Sequence, residues 1–241
     1  MNKIAPMTTI DKYKIIKPLG GGHFGDVYLA LDRALNTEKA IKILKTSEPD
    51  KFLKGLDEAQ ILKRCEHEHI VKINEANIFQ IGTDLKVVLD LEFIKEGSLE
   101  QALGQRWVPI SENVEHLRKA LRGLEHAHSE NILHRDIKPG NILLSPRAAK
   151  LSDFGLATEV NVGAIGSGQG YITHLPPEFF ATPITNVQSD IYAAGITLFR
   201  SVNNISNWEK IVCGIPNYED AIMHGKLIQK IDFIDSTPDR I

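Results

Sequence analysis

The sequence predicts an α+β protein in which an antiparallel sheet comes first and a mainly helical part follows. Up to residues 92–97, short apolar runs are separated by turn residues, which is typical of antiparallel strands. Beyond Gly97, apolar residues recur at helical spacing instead. At 241 residues the chain can hold one large domain or two smaller lobes. Strands followed by helices favour two lobes joined near residues 92–97.

The first part is expected to contain five strand regions and one helix. The helix is predicted by the spacing of four apolar residues, Phe52, Leu56, Ala59 and Leu62. The strand regions that we predict are residues 13–16, 26–30, 39–44, 70–73 continuing at 76–80, and 85–91.

The second part is expected to contain two prominent helices. An apolar stripe predicts the first of them, with Ser111 in position to be its N-cap. The stripe consists of Val114, Leu117, Leu121, Leu124 and His128. Residues 191–199 are apolar on nearly all sides, so we expect that helix to be buried.

Composition limits the partners and the compartment. A net charge of −3 gives no reason to expect attraction to nucleic acid or to an anionic membrane. Cys65 and Cys213 are far apart and suit two reduced thiols in a cytoplasmic protein. Residues 1–10 lack the long apolar stretch of a signal peptide, so we expect none here, and no run approaches the ~18 apolar residues of a membrane span.

Two short polar strings indicate the chemistry. The first, HRDIKPGN at residues 134–141, supplies a candidate proton acceptor in Asp136, a cation in Lys138 and a neutral oxygen ligand in Asn141. The second, DFG at residues 153–155, adds the carboxylate of Asp153. Phosphoryl transfer needs a group that orients the nucleophile, ligands for magnesium, and positive charge near the moving phosphate. Each string alone also fits a solvated turn, but the two in this order favour phosphoryl transfer.

These strings resemble the catalytic domain of eukaryotic-like (Hanks-type) serine/threonine protein kinases. The resemblance covers about residues 10–222 and implies the protein kinase fold, with an N-lobe at residues 1–94 and a C-lobe at residues 95–241. It implies ATP as phosphate donor, a protein substrate, and Mg²⁺ as cofactor, with Mn²⁺ as an alternative. The compact loops and the unusual activation segment are closer to bacterial or phage members than to animal ones.

The resemblance assigns catalytic roles residue by residue. Asp136 would accept or orient the proton of the substrate hydroxyl, and Lys138 would offset charge on the γ-phosphate. Asn141 and Asp153 would hold two magnesium ions. Lys42, in the Ala-Ile-Lys string of residues 40–42, would bind the α- and β-phosphates while a helix carboxylate holds it. Glu58 matches that carboxylate, and Asp57 is its near rival.

A glycine-rich string at residues 19–27 fits the pattern G-x-G-x-x-G-x-V. A plain hairpin turn and a dinucleotide-binding turn are alternatives, but the latter needs a helix after the glycines, whereas residues 27–30 read as a strand. By resemblance, Leu91 closes the back of the adenine pocket, and the backbones of Glu92 and Ile94 bind adenine. The full set of implied nucleotide contacts is Leu19, Gly20, Gly22, Gly25, Val27, Ala40, Lys42, Leu91, Glu92, Ile94 and Leu143.

Further features concern substrate choice and internal support. Lys138 followed by proline resembles serine/threonine rather than tyrosine kinases, and Arg135 implies a pocket for a phosphate on the activation segment. Asp190 is expected to anchor the catalytic loop, to cap the helix that follows, or both. The family's internal hydrophobic stack is matched by Leu62, Ile73, His134 and Phe154.

The activation segment, residues 156–180, departs from the family pattern. Pro176-Pro177-Glu178 replaces the usual A-P-E, and Tyr171 and His174 occupy positions where the family has threonine and tyrosine. This leaves the peptide-binding loop unassigned. The hydroxyls that we expect as candidates for autophosphorylation are those of Thr158, Ser167 and Thr173.

The C-terminal part carries fewer helical patterns than the family has, so we expect a shortened C-lobe. Arg240 either pairs with Glu178 or the chain ends before that partner. The apolar faces of residues 191–199 and 211–215 would then need cover. We expect either a homodimer through the C-lobe or packing of residues 217–241 on that face.

Three alternatives remain at this point. A pseudokinase, which binds nucleotide and partners without catalysis, is favoured by the altered substrate loop and opposed by the complete set of catalytic side chains. A small-molecule kinase of the aminoglycoside type usually has H-G-D and lacks D-F-G. A metal site at Cys65, His67 and His69 lacks the four ligands of structural zinc, and a helix–strand turn accounts for these residues.

Overall fold

The computed structural model of the chain describes residues 4–22, 24–45, 49–105, 109–146, 148–160, 172–206 and 208–213. Its N-terminal part is a six-stranded antiparallel sheet with the strand order β1-β2-β3-β4-β6-β5. The strands are β1 (Thr9–Ile10), β2 (Tyr13–Gly21), β3 (Gly25–Asp32), β4 (Thr37–Leu44), β5 (Ile73–Ile81) and β6 (Asp84–Glu92). The predicted strands are therefore confirmed, except that residues 70–72 contribute only an isolated bridge from Ile70 to Leu151.

Helix α1 (Pro49–Arg64) lies against this sheet, where the sequence predicts one. The contact is close at Gly55, because a β-carbon there would lie 2.5 Å from Leu44 Cδ1 and 3.5 Å from Val87 Cβ. Strand β5 alternates between inward and outward residues, as a sheet with one covered face requires. At this glycine the helix thus packs against β4 and β6.

The second lobe is mainly helical. Its helices are α2 (Leu99–Gln105), α3 (Ile110–Ser129), α4 (Pro177–Ala181), α5 (Val187–Val202) and α6 (Trp208–Cys213). Short strands carry the polar loops between them: β7 (Ile132–Leu133), β8 (Ile142–Leu144), β9 (Ala149–Leu151) and β10 (Thr158–Glu159). One cluster of buried side chains runs through both lobes, from Leu62 and Ile73 to Leu117, Phe154 and Ala193.

The expected cap of helix α3 is wrong, and Asp190 takes one of the two roles expected of it. Helix α3 begins at Ile110, so Ser111 lies inside its first turn, and Pro109 occupies the N-cap position without a side-chain cap. Asn186 and Ser189 form a reciprocal capping box at the start of α5, so Asp190 is not the cap. The structure leaves Asp190 with its other expected role, support of the catalytic loop.

The expectation that residues 191–199 are buried on all sides is also wrong. Ala193, Ala194 and Thr197 face the core, whereas Ile191 is 54% exposed and Leu198 is 38% exposed. The reason is that α5 packs through one face against α3. An apolar residue on a helix is therefore not necessarily buried, because only the face that packs against another element is covered.

Several expectations fall on residues that the structure does not describe. Arg240, Ser167, Tyr171 and the C-terminal segment from residue 214 lie outside the described ranges, so the shortened C-lobe and its cover stay predictions. Among the described helices, none has the length and the apolar character that crossing a bilayer requires.

Candidate active site

A cleft of about 940 Å³ opens between the sheet and the helical lobe. Every residue that the sequence assigned to nucleotide binding lines it, and so do Glu58, Lys138, Asn141 and Asp153. Asp136 lies just beyond the lining and is 8% exposed. Segments that are far apart in the sequence thus meet around one cleft.

The glycine-rich string forms the turn between β2 and β3, which pair antiparallel. The amide of Gly22 donates to the carbonyl oxygen of Gly25 at 2.9 Å and closes the turn. A β-carbon at Gly25 would lie 2.7 Å from the carbonyl oxygen of Ile43, so no larger residue fits. Because a strand follows the glycines, the dinucleotide-binding alternative is wrong.

Lys42 occupies the floor of this part of the cleft between two carboxylates. Its Nζ donates to Glu58 Oε1 and to Asp153 Oδ1, each at 2.7 Å. Burial by itself lowers the pKa of Lys42, but the carboxylates of Asp153 and Glu58 outweigh it and raise that pKa. The ammonium is therefore charged, as its proposed contact with phosphate requires.

The carboxylates on either side of Lys42 differ. Burial raises the pKa of Glu58, and the neighbouring ammonium offsets part of that effect. Burial acts in the same direction on Asp153, but Lys42 outweighs it, and the pKa of Asp153 is lowered. The Asp153 side chain is 41% exposed toward the cleft, whereas that of Glu58 is 4% exposed. Asp153 thus presents an ionised carboxylate to the cleft, and Glu58 is a buried support of Lys42.

The register of α1 decides between Glu58 and Asp57. Glu58 is buried on the face that meets Lys42, whereas Asp57 is exposed. Both residues lie in the middle of α1, so one helical step of about 100° separates their directions. The structure therefore brings Glu58, and not Asp57, to the lysine.

The catalytic loop between β7 and β8 holds three polar side chains together. Lys138 Nζ donates to Asp136 Oδ1 at 3.0 Å and to Oδ2 at 2.8 Å. Asn141 Nδ2 donates to the backbone oxygen and to Oδ2 of Asp136, each at 2.8 Å. Because Nδ2 of the Asn141 side chain donates to Asp136, the Oδ1 atom of the same amide group points to the opposite side.

Asp190, on α5, supports this loop from below. Its carboxylate is 1% exposed and accepts hydrogen bonds from the amides of His134 at 2.9 Å and Arg135 at 2.8 Å. His128 Nε2 is a third partner at 2.8 Å. Arg135 has a φ of +67°, a conformation that non-glycine residues rarely adopt. The buried carboxylate thus holds a strained backbone directly before Asp136.

The hydrophobic stack implied by the resemblance is present. All four of its side chains are buried: Leu62, Ile73, His134 and Phe154. The rings of His134 and Phe154 pack edge to face, with their centroids 4.6 Å apart. This packing fixes the segment that carries Asp153, whose φ is +61°.

Asn141 and Asp153 have the donor chemistry that a hard divalent cation prefers, one amide oxygen and one carboxylate. Among the described residues, no group of three or more His, Cys, Asp or Glu side chains could hold a metal ion. The pair fits Mg²⁺ only as part of a coordination shell that phosphate oxygens and water complete. The same finding gives no support to a metal site at Cys65, His67 and His69.

At the hinge, Glu92 makes contacts that the sequence did not indicate. Its Oε1 accepts from the Lys72 amide at 2.7 Å and from Lys150 Nζ at 2.5 Å. Its own amide donates to the Lys72 carbonyl oxygen at 3.0 Å. The first hinge residue is therefore held by both lobes.

In the described part of the activation segment, Thr173 and His174 are buried, at 4% and 3% exposure. Burial, together with the charges of Arg200 and Lys138, keeps the pKa of His174 well below its ordinary value, so its ring is neutral. In this conformation the side chain of Thr173 is not accessible for phosphorylation, whereas that of Thr158 is only half-buried.

An ion pair close to this segment was not expected from the sequence. Arg200 is 1% exposed, and its Nη2 donates to both carboxylate oxygens of Glu100 at 2.6 Å. Its partner lies 100 residues away along the chain, and so no local pattern could have indicated the pair.

Comparison with known proteins identifies the family. The family model described as "Protein kinase domain" matches residues 13–239. The chain is 30% identical to serine/threonine-protein kinase DCLK1 of Rattus norvegicus over 95% of the chain and 52% of that relative. It is 28% identical to CBL-interacting serine/threonine-protein kinase 21 of Arabidopsis thaliana, covering 91% of the chain and 52% of the relative.

A bacterial relative is equally similar. Serine/threonine-protein kinase PrkC of Bacillus subtilis is 32% identical over 78% of the chain and 30% of the relative. The chain thus spans about half or less of the length of these relatives, which are both eukaryotic and bacterial. With the two-lobed architecture and the family match over nearly all of its length, the chain belongs to the protein kinase domain family.

Proposed function

We propose that the chain is an ATP-dependent protein kinase that transfers the γ-phosphate to serine or threonine hydroxyls of proteins. The observation that carries this proposal is the meeting of two charged clusters at one cleft. One is Lys42 with Glu58 and Asp153, and the other is Asp136 with Lys138 and Asn141. The first suits phosphate binding, and the second suits activation of a hydroxyl.

Asp136 is the proposed proton acceptor. Hydrogen bonds from Lys138 and Asn141 fix its carboxylate before any substrate enters. A substrate hydroxyl within reach of this carboxylate would be oriented by it and would give it a proton. Lys138 lies beside the same oxygens, so it offsets negative charge where the phosphate moves.

Lys42, Asn141 and Asp153 are the proposed nucleotide and metal contacts. The charged ammonium of Lys42 would bind phosphate oxygens, with Glu58 holding it in place. Magnesium, when bound by Asn141 and Asp153, would neutralise phosphate charge and align the γ-phosphate. Manganese offers similar coordination. The hinge backbone at Glu92 and Ile94 faces the same cleft and suits an adenine.

The relatives named above are serine/threonine kinases, and Lys138 is followed by proline as in that class. A pseudokinase is less favoured, because every catalytic side chain lies at contact distance from its expected neighbour. We further propose a cytoplasmic location.

Radiolabelled ATP supplied with Mg²⁺, the protein and a generic basic protein substrate tests the proposal. We expect phosphate on serine or threonine, and turnover ~10²–10⁴-fold lower for Asp136→Asn. The control Asp57→Asn, which neutralises an exposed carboxylate on α1, should keep normal turnover. A wild-type protein that binds ATP but incorporates no label, or an Asp136→Asn variant with normal turnover, would contradict the proposal.

A further inference from the structure

Lys45, the residue directly after β4, reaches the glycine-rich loop at two points. Its backbone amide donates to the carbonyl oxygen of Phe24 at 3.0 Å, which extends the pairing of β3 and β4. Its Nζ donates to the carbonyl oxygen of Gly22 at 2.5 Å. The same ammonium lies 3.9 Å from Asp26 Oδ1. One side chain therefore joins β4 to the turn between β2 and β3.

The anchored carbonyl belongs to a glycine with open space around it. A β-carbon at Gly22 would meet no atom within 4 Å, so packing does not restrain this residue. Glycine also loses more conformational freedom on ordering than any other residue. A hydrogen bond from the Lys45 ammonium to the Gly22 carbonyl orients this peptide before a ligand binds. The loop therefore loses less conformational entropy on binding.

A second contact shows where the loop is held. A β-carbon at Gly155 would lie 3.1 Å from Phe24 Cδ2 and 3.2 Å from Phe24 Cγ, so the aromatic ring rests on the backbone of the segment that carries Asp153. The loop thus lies directly over the proposed phosphate and metal site. Lys45 itself is not among the residues that line the cleft.

We propose that Lys45 is a positioning residue that holds the glycine-rich loop over the nucleotide phosphates and thereby sets nucleotide affinity without touching the nucleotide. This proposal rests on the proposed function, because it assumes that phosphates bind under the loop. The side chain acts through its hydrogen bond to the Gly22 carbonyl oxygen, and its ammonium also forms an ion pair with Asp26. Nucleotide affinity, rather than the chemical step, is the quantity that it controls.

Titration calorimetry with ADP and Mg²⁺ on the full chain tests it. Lys45→Met should weaken binding about 3- to 10-fold, the range that the net contribution of one typical hydrogen bond supports. KM for ATP should rise by the same factor while kcat at saturating ATP stays within twofold. Lys45→Arg, which keeps the charge and the donor, should restore most of the affinity. The thermal midpoint should not change, since the side chain is 34% exposed.

Two lysine controls separate this role from general charge effects. Lys63→Met removes a 69% exposed lysine on α1 and should leave affinity unchanged. Lys14→Met removes a cation on β2 that does not line the cleft. If it weakens binding as much as Lys45→Met, long-range attraction explains the effect and the proposal is wrong.

The remaining outcomes are also decisive. Equal ADP affinity for Lys45→Met and wild type, or no recovery with Lys45→Arg, overturns the positioning role. A wild type that binds ADP but transfers no phosphate contradicts the proposed function and leaves the positioning role standing. A wild type that binds no nucleotide overturns both.

Discussion

Replacing Asp190 by alanine should remove the support of the catalytic loop. The carboxylate is buried and accepts two backbone hydrogen bonds, from His134 and Arg135. Without it, two buried N–H groups lose their acceptor, and each such loss costs about 1–3 kcal/mol. The free energy of unfolding should therefore fall by about 2–6 kcal/mol, a large part of the ~5–15 kcal/mol that native proteins have.

Urea unfolding followed by tryptophan fluorescence measures this loss, and turnover at low temperature measures its effect on the site. Because Arg135 would no longer be held at its positive φ, turnover should fall even where the variant remains folded. Asp190→Asn keeps one acceptor oxygen and should lose about half as much stability. Glu125→Ala, which removes an exposed carboxylate on α3, is the control. A loss below about 1 kcal/mol for Asp190→Ala would refute the reasoning.

Three further predictions concern α1, helix packing and acid stability. Glu58→Gln should lower turnover at least about tenfold, because the buried lysine of β4 loses a counter-charge, whereas Asp57→Asn should not. Gly123→Ala should lower the free energy of unfolding by about 1–3 kcal/mol, because the new β-carbon would lie 2.5 Å from the carbonyl oxygen of His69. Gly195→Ala should raise the free energy of unfolding by about 0.5 kcal/mol, because a β-carbon there meets no atom within 4 Å. Glu75→Gln should flatten the loss of stability between about pH 4.5 and pH 2, since hydrogen bonds from a lysine and a tyrosine lower the pKa of Glu75 from 4.5 to about 2.

The sign of the acid effect follows from that lowered pKa. The ionised Glu75 carboxylate stabilises the fold fully above pH 4.5, and this contribution disappears as the pH falls toward 2. Its side chain is 37% exposed, so the contribution is at most about 1 kcal/mol. Urea midpoints at several pH values measure it, and parallel acid limbs for wild type and Glu75→Gln would show that the reasoning is wrong.

The other two predictions fail under equally plain results. Equal loss of turnover in the variants of Asp57 and Glu58 would mean that the pairing seen at Lys42 does not govern activity. Equal stability changes at Gly123 and Gly195 would mean that the close approach of α3 to the turn after α1 relaxes without cost. Kinetic assays at saturating ATP and urea unfolding, respectively, are the measurements.

Much of this fold could be predicted because its signals are local. Alternating apolar residues indicated the strands, and the strand after the glycines decided between two phosphate-binding turns. One helical step between Asp57 and Glu58 was enough to indicate which carboxylate faces the sheet. The catalytic loop was recognised for a similar reason, since Asp136, Lys138 and Asn141 lie within one short string.

What the sequence could not indicate depends on contacts between distant segments. Arg200 and Glu100 pair across 100 residues, and the hinge glutamate meets Lys150 across 58. The expected Ser111 cap was wrong because Pro109 already sets the backbone at that helix start. The exposure of Ile191 depends on which face of α5 meets α3, and that choice is made by packing rather than by composition.

The short hairpin of β8 and β9 works as a spacer between the two proposed metal ligands. Asn141 directly precedes β8, and its carbonyl oxygen accepts from the amide of Ser152, next to Asp153, at 2.9 Å. The separation of the two ligands is therefore set where the hairpin closes, and not by the length of the chain between its strands. Doubling the length of a flexible loop raises the entropic cost of closing it by only about 0.6 kcal/mol. A longer connection between Leu144 and Ala149 should accordingly leave the distance between the two ligands unchanged, although residues 144–146 also line the cleft.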